Sequence, residues 1–175
     1  NLLGNPFDTA VAAANIIFSG LLDQFPKLEI CLPHAGGAFP YLIGRLNHGW
    51  KVRQECKTLK KPPVSYLRRF TYDTISHAPE SLDYLIKLVG ADRVMMGSDY
   101  CFDMGYDRPI KVISALKLNR ADKEKILSGN AARLNAIAEE VTRLEDQSDA
   151  LYDAGISALY KGPARKDPMA YIVGA

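Results

Sequence analysis

Residues 25–50 read FPKLEICLPHAGGAFPYLIGRLNHGW, and this stretch decides the fold. Leu28-Glu29-Ile30-Cys31-Leu32 is a short, largely apolar run of the kind that forms a buried parallel strand. It ends at Pro33-His34-Ala35-Gly36-Gly37. A helix is expected from about Pro40 to Gln54, with Pro40 suited to its first turn. Upstream, Asp8 to Phe25 reads as a helix. Asp8 is placed to cap it, Val11, Ile16, Leu21 and Leu22 are among its apolar residues, and Pro26 stops it.

The same alternation continues downstream. Lys57 to Pro63 is basic and proline-bearing, and reads as a loop. Arg69 to Thr74 reads as a second strand, and Pro79 to Val89 as a helix closed by Gly90. Arg93 to Gly97 reads as a third strand, ending at Ser98-Asp99-Tyr100. Gly105 to Arg108 looks like loop. Helices are expected over Pro109 to Leu116, over Ala121 to Leu127, and from near Asn130 past Leu144. Strands separated by helices argue for an α/β fold with a parallel sheet and right-handed crossovers.

From Ala136 the composition shifts. Four basic residues (Arg143, Lys161, Arg165, Lys166) face seven acidic ones, a net 4 − 7 = −3, and Gly155, Gly162, Pro163 and Pro168 interrupt the pattern. The expected division is therefore residues 1–135, one α/β region, and residues 136–175, a helical or loosely ordered tail.

Composition narrows the function classes. Of 175 residues 47% are hydrophobic and 24% charged, which is globular rather than disordered. The net charge, 22 − 20 = +2, is too small and too dispersed for a nucleic-acid footprint. No apolar run reaches the roughly 18 residues of a membrane span. Cys31, Cys56 and Cys101 are odd in number and widely spaced, which argues against a disulfide scaffold or a zinc ribbon and for a reducing cytoplasm. The start, Asn1-Leu2-Leu3-Gly4-Asn5-Pro6, has no basic n-region, no cleavage site and no initiator Met, so the true N-terminus is expected upstream.

In parallel α/β folds functional groups collect at the C-terminal ends of strands. His34 follows the first expected strand, Asp73 and then His77 the second, and Asp99 the third. Imidazole and carboxylate are good ligands for a divalent metal, and histidine also serves as a general base. Each has a plainer reading. His34 before Ala-Gly-Gly is equally suited to capping the next helix. Asp99 after Gly-Ser fits a cap or turn, and Asp73 and His77 fit strand-end hydrogen-bonding groups. Gly36-Gly37 makes a tight turn whose N–H groups can also approach an anion. His48 reads as a surface or packing residue within a helix. Cys101 has no neighbour in sequence to lower its pKa and reads as a buried thiol. Trp50 and the tyrosines read as core or interface.

Four segments carry a resemblance: the stretch quoted first, FTYDTISHAPESLDYLI (70–86), GADRVMMGSDY (90–100) and ILSGNAARL (126–134). In this order and spacing the sequence over about residues 5–134 resembles the amidohydrolase superfamily, in its aminocarboxymuconate-semialdehyde decarboxylase-like branch. The resemblance implies a metal-dependent (β/α)8 TIM barrel with a divalent ion, Zn or Mn, at the C-terminal strand ends. Asp99 matches the aspartate that ligates the metal and takes part in proton transfer. His34 matches the acid/base histidine after strand six. Arg45 matches an arginine that reaches across a dimer interface to a substrate carboxylate, a role suited to a bidentate guanidinium.

The departures are specific. No His-x-His pair is present, and no histidine matches the metal ligand of strand five. The chain is expected to supply about strands six to eight of a barrel that takes about 250 residues. Cys101 stands where the family's turn carries proline. The implied activity is decarboxylation of an aromatic or unsaturated carboxylic acid by a homodimer or higher homo-oligomer, with no nucleic-acid or membrane partner. Hydrolysis or hydration of a related diacid is the chemical alternative. A catalytically silent chain that assembles with another is the other alternative, since one Asp and one His make an incomplete metal site.

Overall fold

The computed structural model describes residues 1–161. The chain divides into two units, Asn1–Arg133 and Leu134–Ala175. The first opens with α1 (Gly4–Phe18) and the short α2 (Leu21–Gln24). Ala10, Ala13 and Ile17 are its buried apolar residues, at helical spacing, and Leu22 of α2 is fully buried. Two expectations are corrected here. Asp8 lies inside α1 rather than capping it, because Pro6 is accommodated in the first turn and the helix starts at Gly4. The expected single helix breaks at Ser19-Gly20, where Gly20 takes a left-handed φ of 76°.

Strand β1 (Ile30–Leu32) pairs in parallel with β2 (Phe70–Tyr72), in the register Ile30–Phe70, Cys31–Thr71 and Leu32–Tyr72. Between them run α3 (Phe39–Val52), begun at Pro40, and two 3-10 segments, Gln54–Cys56 and Pro63–Arg69. Every residue of β2 is buried, as expected for a strand covered on both faces. Phe39 of α3 meets Phe70 of β2 edge to face, with ring centroids 5.7 Å apart. Full burial of side chains such as Ile17, Leu82 and Val89 contributes roughly 1.5–3 kcal/mol each.

The expected third strand is not formed as such. Val94 makes only an isolated parallel bridge to Tyr72. Met95 N–H donates to the Tyr72 carbonyl, but Met96 N–H turns away to the Ile126 carbonyl, so the ladder ends after one rung. Helix α4 (Pro79–Val89) has the expected bounds, with Pro79 in its first turn and Gly90 at φ 86° after its end. Helices α5 (Pro109–Ala115) and α6 (Arg120–Glu124) follow, and α6 runs into a π-helical turn, Lys125–Gly129. Asn130, at the start of α7 (Asn130–Lys161), is buried and donates to the carbonyls of Ala91 and Val94 within the first unit. In the second unit α7 continues through Gly155, where a break was expected. Gly162, Pro163 and Pro168 lie outside the described residues.

What positions the site is the turn after β1. His34, Ala35, Gly36 and Gly37 all have positive φ, at 57°, 53°, 81° and 57°. L-residues pay about 1–2 kcal/mol each for this conformation, so His34 and Ala35 need a compensating contact. The Asp73 carboxylate supplies it. Its Oδ2 accepts from His34 N–H at 3.1 Å, and its Oδ1 accepts from Ala35 N–H at 2.7 Å and Ile75 N–H at 2.9 Å. Asp73 is placed for this by the sheet, its own N–H donating to the Leu32 carbonyl.

The glycines complete the turn. A Cβ on Gly36 would lie 2.9 Å from the Tyr72 ring, and one on Gly37 would collide with the Pro6 carbonyl oxygen, so α1 seats directly on the turn. Burial pushes the Asp73 pKa above the usual carboxylate value, against the pull of the three N–H donors. By linkage, the stability this group contributes declines as pH rises from 3.8 through its raised pKa. Asp73→Asn must turn an NH2 group toward at least one of the three donors. The substitution is expected to lower unfolding free energy by about 2–3 kcal/mol in urea titration, and a loss below about 0.5 kcal/mol would contradict the clamp.

Candidate active site

His34, placed by this turn, lines a cavity of about 860 Å³ in the first unit. Asp99 lines the same cavity from the segment after Val94. Both side chains are partly buried. His77, Glu80, Tyr41, Tyr84 and Phe102 add to its wall. His77 rests against the Tyr106 ring with centroids 4.9 Å apart, and the Tyr84 hydroxyl donates to the Pro40 carbonyl. The loop bearing Asp99 is folded on itself, Tyr106 N–H donating to the Ser98 carbonyl and Phe102 N–H to the Asp99 carbonyl.

Among the described residues, four that are not glycine have positive φ: His34, Ala35, His77 and Asp99. All four line this cavity. Unfavourable backbone concentrated at one place, and retained there, marks a site where geometry matters more than local stability.

The cavity thus collects two imidazoles and two carboxylates, while no Lys or Arg among the described residues lines it. An anionic ligand would need positive charge from elsewhere. Arg45 does not provide it within this chain. It sits exposed on α3, away from the cavity, with no ion pair among the described residues. No group of three or more His, Cys, Asp or Glu side chains is arranged to hold a metal ion among the described residues. Asp99 and His34 alone are fewer donors than a divalent site takes, so this chain does not by itself fit a complete metal centre.

Other expected residues fall as follows. His48 is exposed on α3. Trp50 is partly buried against the core, its indole N–H donating to the Leu59 carbonyl at 3.3 Å. Cys101 is exposed, which corrects the expectation of a buried thiol. It follows Tyr100, itself 91% exposed, in a loop that turns outward. Asp73 serves as the strand-end hydrogen-bonding group that was one of its two readings. Sequence reasoning missed Thr9, whose hydroxyl lies 3.1 Å from His34 Nδ1. A lone threonine in a helix 25 residues upstream carries no signal for that contact.

The sequence profile of the amidohydrolase family matches residues 3–134. The chain is 36% identical over 133 residues to the 2-amino-3-carboxymuconate-6-semialdehyde decarboxylase of Dictyostelium discoideum, covering 74% of this chain and 37% of that one. Among solved structures, 5-carboxyvanillate decarboxylase from Sphingomonas paucimobilis superposes with a TM-score of 0.65 at 31% identity, over 73% of this chain and 39% of the other. A dihydroxybenzoic acid decarboxylase from a Polaromonas species, solved with manganese and 2-nitroresorcinol, gives 0.65 at 30%, over 74% and 40%. The chain spans about two fifths of the length of these relatives. With a parallel strand pair, a histidine turn and an aspartate facing one cavity, and this match over most of its length, the chain belongs to the amidohydrolase family.

Proposed function

We propose that this chain contributes part of the active site of a metal-dependent decarboxylase acting on aromatic or unsaturated carboxylic acids. The observation that carries the reading is the convergence of His34, from the turn after β1, and Asp99, from the segment after the Val94 bridge, on one cavity. The three relatives named above are decarboxylases of acids of this class, and one of them holds manganese. In this reading the strands are about six to eight of a (β/α)8 barrel.

Decarboxylation breaks the bond between a carbon and its carboxylate, and the carbon then takes a proton. His34 is assigned the proton transfer, since its ring lines the cavity. Asp99 is assigned as one ligand of a divalent ion, Zn or Mn, with the remaining ligands supplied by residues outside this sequence. A bound divalent ion stabilises developing negative charge and lowers the pKa of water. Arg45 is assigned to a substrate carboxylate in a neighbouring subunit of a homodimer or larger homo-oligomer. The absence of Lys and Arg from the lining supports this, because the cavity's own carboxylates would repel an acid substrate. The three unpaired cysteines are the ground for assigning a reducing cytoplasm. No helix among the described residues is long and apolar enough to cross a membrane.

The incomplete donor set also favours a second reading, in which the 175-residue chain alone is catalytically silent and acts only in assembly with another chain. Both readings predict weak metal binding by the isolated chain. After loading with Mn²⁺ and dialysis, well under one equivalent should remain by elemental analysis. One full equivalent would overturn the assignment of ligands outside this sequence. In the assembled enzyme, Arg45→Lys is expected to raise KM for the acid substrate about tenfold or more, because the bidentate grip is lost. An unchanged KM in steady-state decarboxylation would remove Arg45 from the substrate site.

A further inference from the structure

We infer that Thr9 is a positioning residue that holds neutral His34 in its Nδ1–H tautomer, leaving Nε2 as the proton-accepting nitrogen. Thr9 is buried, at 8% exposure, on the first turns of α1. Its hydroxyl donates to the Asn5 carbonyl at 3.0 Å, one helical turn back. A hydroxyl has a single hydrogen. With that hydrogen committed to Asn5, the Thr9 oxygen meets His34 Nδ1, 3.1 Å away, only as an acceptor. In that arrangement Nδ1 carries the proton, and in a neutral imidazole the other nitrogen then carries the lone pair.

The other restraints around His34 act on backbone, its carbonyl also accepting from Gly37 N–H. Asp73 Oδ2 accepts its N–H, and the following Ala35 N–H is bound by Oδ1. Backbone and ring are thus fixed from different places, the residue after β2 and α1. Among the described residues no hydrogen bond reaches Nε2, and the residue lines the cavity, so Nε2 is the nitrogen left for a ligand's proton. This use of Nε2 rests on the function proposed above. The tautomer itself does not, since it rests on the Thr9–Asn5 and Thr9–His34 contacts.

The test is the long-range ¹H–¹⁵N correlation spectrum of the ¹⁵N-labelled 175-residue chain without metal, at a pH where His34 is neutral. His34→Gln assigns the signals, and the dispersion of the backbone amide signals reports that the fold is retained. The wild type is expected to show the Nδ1–H pattern at His34. Thr9→Val is expected to lose it, and Thr9→Ser to restore it, while His48 and His77 stay unchanged. An Nε2–H pattern in the wild type overturns the inference whatever the variants do. So does an unaltered Nδ1–H pattern in a folded Thr9→Val chain. Because the readout needs neither metal nor turnover, a failed decarboxylase assay would count against the proposed function and leave this inference standing.

Discussion

Three backbone N–H groups converge on the Asp73 carboxylate, and the site depends on that convergence. Two of them belong to His34 and Ala35, which hold a left-handed backbone that neither residue favours in isolation. A buried carboxylate is costly without partners and is well held when its lone pairs meet N–H donors. The turn and the carboxylate thus stabilise one another. Neither forms without the β1–β2 register that sets Asp73 beside Leu32.

The packing around the turn follows from the same constraint. Gly36 lies against the Tyr72 ring and Gly37 under the Pro6 carbonyl, so the sheet and α1 both close onto it with no room for a side chain. That brings Thr9 within reach of the His34 ring. Contacts distant in sequence therefore fix one histidine, Asp73 at its backbone and Thr9 at its ring, and the cavity beside it gathers the other strained residues, His77 and Asp99. The functional assignment rests on this concentration of fixed polar groups rather than on any single motif.

Much of this was legible in the chain. Pro79 and Gly90 bracket α4 because each acts locally, through a preset φ at the start and a left-handed φ at the end. The strand–turn–helix around His34 was legible for the same reason, and the strand-end placing of His34 followed from the alternation of elements. What escaped was set by longer-range contacts. The run Arg93–Gly97 has a strand's composition, yet Met96 N–H finds Ile126 instead of a strand, and only Val94 bridges. The helix expected over Asp8–Phe25 was a reading of apolar spacing that gave too little weight to Ser19-Gly20. Asp73 looked like one carboxylate among several, because its three partners come from the turn after another strand and from its own loop. Thr9 was invisible for the same reason.

The central proposal is that this chain supplies one wall of a metal-dependent site whose other ligands come from residues outside this sequence. It is tested most directly by reading the DNA upstream of the Asn1 codon in its own frame. The account predicts an in-frame His-x-His segment followed by further strand–helix units. A stop codon close upstream, with no such segment, would contradict it.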